Sequence, residues 1–72
     1  MRKYQVYYDR LNRVLHTPGD NHRMALMKLR ASAITAEIAA LEFLDQWSDD
    51  EWERSIVRRI ELLEKDLMEV ED

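Results

Sequence analysis

Pro18 and Gly19 are the only proline and the only glycine in this chain, and they stand side by side. Both residues punctuate secondary structure: proline fixes φ and removes a donor, and glycine opens the left-handed region. With both confined to HTPGDN, residues 16–21, the remaining sequence contains no strong helix breaker. Hydrophobic residues make up 46% and charged residues 36%, a balance that suits amphipathic helices better than sheets or disorder. The expected fold is therefore all-α with three helices. A long antiparallel hairpin of helices about 20–46 and 49–70 carries a shorter N-terminal helix, about 2–15, packed across it. Residues 1–72 make one small helical domain, with no repeat or linker that would divide it.

In the first helix, Tyr4, Tyr7, Tyr8, Leu11, Val14 and Leu15 recur at helical spacing on one face. Arg2, Lys3, Arg10 and Arg13 lie mostly off that face. The turn offers Thr17 as a cap with Pro18 at the first helical position, or Asp20 as a cap a little later. The second helix, roughly 40 Å long at 1.5 Å per residue, bears two apolar stripes. One holds Met24, Met27, Ala31, Ile34, Ile38 and Leu41; the other holds Ala25, Leu29, Ala33, Ala36, Ala40, Phe43 and Trp47. A helix that is apolar on two sides expects two sets of neighbours. In the third helix, Ser48 followed by Glu51 reads as a capping box. The carboxylates of Asp49, Asp50, Glu51 and Glu53 then face the positive end of the helix dipole. Beyond them Ile56, Ile60, Leu63, Leu67 and Val70 alternate steps of four and three, an a/d seam.

A chain of this size buries only about 60% of its unfolded surface, so a single core is marginal. It has no cysteine, which removes disulfides and thiolate metal sites as staples. Pairing with further copies is the expected remedy, as a homodimer or higher homo-oligomer. The stripe Met24, Met27, Ala31, Ile34, Ile38 and Leu41 is assigned to that interface, with Arg30 and Glu37 paired between chains. Trp47 and Trp52 are expected to seal the hairpin end of the core.

The net charge is −4, but the halves differ: residues 1–30 carry +5 and residues 31–72 carry −9. An acidic total argues against duplex nucleic acid, which needs its phosphates neutralised. No apolar run exceeds four residues, so no membrane span is expected, and the N-terminus lacks the apolar core of a secretory signal. A cytoplasmic location fits these features. DEWE and ELLE pair carboxylates at a spacing known from magnesium sites, but along a single rod, so no metal is expected there. His16 and His22 flank the turn without the further ligands that zinc requires. Neither a nucleophile elbow nor a glycine-rich phosphate loop is present, so no catalytic residue and no cofactor is assigned.

The expected function is non-enzymatic binding of another protein. Asp50, Glu53, Glu61, Glu64, Glu69 and Glu71 form a candidate partner-binding acidic face, suited to a basic surface on the target. Size and charge are those of small acidic helical inhibitors or adaptors, the phage-encoded inhibitors of host or defence machinery among them. A second reading makes the oligomer a binder of a small nucleotide-like anion. Its candidate residues are Arg2, Lys3, Tyr4, Tyr8, Arg10 and Arg13, with tyrosines for stacking and cations for phosphate. A third makes the chain a structural subunit of a larger assembly.

Overall fold

The computed structural model describes residues 4–45 and 50–71, the side chain of Glu71 excepted. Three helices account for most of them: α1 (Gln5–Leu15), α2 (His22–Phe43) and α3 (Asp50–Glu71). Each packs against the other two. Ion pairs fix the directions. Arg23 meets Glu69, Arg30 meets Asp66 and Glu37 meets Arg59, so α2 and α3 run antiparallel. Tyr8 of α1 reaches Glu42 at the far end of α2, so α1 also runs against α2 and along α3.

The core follows from helical periodicity. Leu11 and Val14 come from α1, Met24, Met27, Ala31, Ile34 and Ile38 from α2, and Ile56, Ile60, Leu63 and Leu67 from α3. Tyr4, Tyr7, Tyr8, Leu15 and Val70 pack around these as a partly buried rim. The a/d reading of α3 thus holds, and Val70 is its half-buried end. The first stripe of α2 does not: five of its six residues fill the core of the single chain, and Leu41 is partly buried at its edge. They cannot also be an oligomer interface. The bulkier stripe yields more on burial, because stabilisation scales with apolar area, and it is the one the other helices cover.

The turn is built differently from the expectation. Neither Thr17 nor Asp20 caps α2. Asn21 does, from an extended backbone (φ −70, ψ 168), its side-chain oxygen accepting from the Met24 N–H at 2.8 Å. The Thr17 hydroxyl instead donates back to the Arg13 carbonyl at 2.6 Å. Gly19 has φ +136, a conformation that L side chains rarely adopt, and a Cβ there would stand 3.3 Å from Met24 Cγ. Asp45, at φ 52, turns the chain out of α2, its N–H bonding the Glu42 carbonyl at 3.1 Å. Ser48, Trp47 and Asp49 lie outside the described residues, and with them the expected capping box. Asp50, Glu51 and Glu53 do occupy the first turn of α3. Trp52 is 48% exposed and does not seal the core.

Candidate protein-binding face

Helix α2 carries five charged residues, and each has a partner within the chain. Arg23 pairs with Glu69 at 3.0 Å, Arg30 with Asp66 at 3.1 Å and Glu37 with Arg59 at 2.6 Å. Lys28 Nζ donates to the Gly19 carbonyl at 3.1 Å, and Glu42 accepts from the Tyr8 hydroxyl. These contacts hold the charges toward α1, α3 and the turn. What remains on the outer side is uncharged: His22, Ala25, Leu26, Leu29, Ser32, Ala33, Ala36, Ala39, Ala40 and Phe43 are all exposed. Leu26 is 48% exposed, Leu29 66% and Phe43 89%, with Leu44 at 57% just beyond. The exposed side of α3 differs in mixing charges with apolar residues: Arg54, Arg58, Glu61 and Lys65 stand there with Trp52 (48% exposed), Leu62 (47%) and Met68 (63%).

Leu29, Ala33, Ala36, Ala40 and Phe43 of the second stripe are therefore open. With Leu26, which lies outside that stripe as read from sequence, they step three, four, three, four and three. That is the a/d spacing by which one helix receives another.

The acidic face expected on α3 is dispersed. Glu64 is clamped by Arg10, whose Nε and Nη2 donate at 3.0 and 2.6 Å. Arg10 holds the Glu64 carboxyl below its ordinary value of 4.5, against the opposing effect of burial. Glu53 accepts from the Tyr7 hydroxyl at 2.6 Å. Burial, and then that bond, push Tyr7 up to about 12. Glu69 is taken by Arg23, and the Glu71 side chain lies outside the described residues. Asp50, Glu53 and Glu61 do meet along a shallow surface groove, but Arg54, Val57 and Arg58 line it as well. The groove has mixed charge and does not offer a uniformly acidic surface.

The candidate anion site is spent in a similar way. Tyr4 and Tyr8 pack against the core, Arg10 is committed to Glu64, and Arg13 adds its field to the same carboxylate. Arg2 and Lys3 lie outside the described residues. Within the single chain, Arg30 meets Asp66 and Glu37 meets Arg59. His16 and His22 are both exposed, and His16 Nδ1–H donates to the Asn12 carbonyl at 2.9 Å. Among the described residues no cluster of three or more His, Cys, Asp or Glu is placed to hold a metal ion, and no helix is long and apolar enough to cross a membrane.

No family model, no curated protein and no solved structure matches the chain.

Proposed function

We propose that this chain is a non-enzymatic protein–protein interaction module that docks another polypeptide through the outer face of α2. One observation carries the reading. A helix of 22 residues exposes an uncharged side with Leu26, Leu29 and Phe43 on it, while all five of its charges are bonded to partners within the chain. Exposed apolar faces of this length cost solubility and are found where a protein surface docks. The spacing is that of a helix-receiving seam, so the occupant is a helical, apolar protein surface.

The mixed charge along α3 gives less support to an acidic contact with a basic target, and the engagement of Arg10 gives less support to capture of an anion. A photo-crosslinking amino acid placed at Leu29 tests the reading, with Arg58 on α3 as the control position. The expected result is a covalent polypeptide adduct from Leu29 and none from Arg58. Adducts from Arg58 alone, or none from either, would reject the α2 face.

A further inference from the structure

Resting on that reading, we infer that the occupant of the α2 face is a second copy of the same chain, paired antiparallel about a twofold axis between Ala33 and Ala36. The seam is symmetric under reversal. Turning the helix end for end exchanges Leu26 with Phe43, Leu29 with Ala40 and Ala33 with Ala36, so every seam residue meets another seam residue. A twofold contact brings a surface against itself, and one without charge meets no like-charge repulsion there. The alanines let the backbones approach at the centre, and Leu26 and Phe43 close the two ends.

The flanks favour the antiparallel direction. Along the border beside α3, Arg30 and Glu37 sit one heptad apart at equivalent flanking positions. In an antiparallel pair such positions face each other across the seam, so Arg30 of each copy lies beside Glu37 of the other. Their contacts to Asp66 and Arg59 do not prevent this, since the Arg30 side chain is half exposed and Glu37 28% exposed. The four charges become one alternating row on each side of the axis. A parallel pair sets Arg30 and Glu37 opposite the other border, where Ala25, Ser32 and Ala39 offer no charge. Opposed helix dipoles add to the same preference.

The chain exposes 5218 Å², roughly 500 Å² more than the about 4,700 Å² expected of a compact chain of its mass, as an elongated bundle does.

Sedimentation equilibrium and light scattering over a concentration series read the mass. The expected species is a dimer of about 17 kDa, twice the chain's 8.7 kDa. Ala36→Glu, at an exposed helical position, is expected to return it to 8.7 kDa with the helical circular dichroism retained. The chain has no cysteine, so single thiols report direction. Leu26→Cys mixed with Phe43→Cys is expected to give a disulfide-linked dimer, and neither variant alone. A monomer at every concentration, a dimer indifferent to Ala36→Glu, or thiols that link only like to like would each overturn the inference. A Leu29 photo-adduct of mass other than two chains, from a monomeric protein, would reject the second copy and leave protein binding through α2 standing.

Discussion

Glu64 is held by both ends of one guanidinium fork, and the pair is only about a quarter exposed (29% for Arg10, 26% for Glu64). Two charge-assisted bonds on a semi-buried carboxylate fix where α1 lies along α3. Glu64→Gln is expected to cost about 1–2 kcal/mol at neutral pH. Because the folded carboxyl is depressed, its contribution is present above the ordinary glutamate value of 4.5 and is lost as pH falls through the lower folded value. The gap between variant and parent in urea unfolding should therefore shrink in acid; a gap that stays constant would mean that packing, not charge, accounts for it. Tyr7 works at the opposite limit. Its hydroxyl is raised to about 12, chiefly by burial and then by the bond to Glu53, while the nearby Arg10 opposes the rise and Tyr4 adds to it. The stability it brings is full below pH 10 and drains away between 10 and 12. Tyr7→Phe cannot ionise, so its stability should fall less than the parent's between pH 9 and about pH 11.5.

The three helices were legible as elements because the apolar spacing is regular, the Pro-Gly step marks one turn and the acidic stretch after Ser48 marks the start of the third helix. Their caps were not. HTPGDN holds three competent capping residues, and the choice among Thr17, Asp20 and Asn21 depends on Gly19 at φ +136, packed against Met24 and bonded through its carbonyl to Lys28. That is a tertiary fact with no local trace. Asn21→Ala should therefore destabilise by about 1 kcal/mol, lowering the melting temperature by roughly 4–8 °C, whereas Thr17→Ala should leave the start of α2 intact. Thermal melts followed at 222 nm compare the two, and equal losses would mean that the cap is shared. The stripes of α2 show a second limit. Spacing identified both but could not rank them; side-chain volume did, since Met24, Met27, Ile34 and Ile38 fill a three-helix core and an alanine seam does not. The acidic surface shows a third. Arg10 and Glu64 are 54 residues apart in sequence, so no reading of α3 alone could reveal that its carboxylate was already engaged.

At the scale of the whole molecule, the chain is long for its mass. Its radius of gyration is 12.6 Å and its extents are 37 × 22 × 18 Å, against about 11 Å expected for a compact chain of this length. The long axis is set by α2 and α3, whose 22 residues each rise roughly 33 Å. An elongated bundle of three helices leaves one full side of α2 in water, and that side is the one without charge. Pairing two copies there converts the feature that weakens the single chain into one that stabilises both, so stability should depend on concentration. For a dimer that dissociates on unfolding, a hundredfold rise in concentration adds about 2.7 kcal/mol. Two such chains unfold as a unit of roughly 150 residues, for which each kcal/mol moves the midpoint by about 2–4 °C. The melting temperature should then climb by about 5–10 °C between micromolar and hundred-micromolar chain. Ala36→Glu should melt at a lower temperature that does not move with concentration. A parent whose midpoint is equally fixed would place the whole of its stability in the eleven buried side chains of one copy, and the exposed seam would then have to be covered by a different protein.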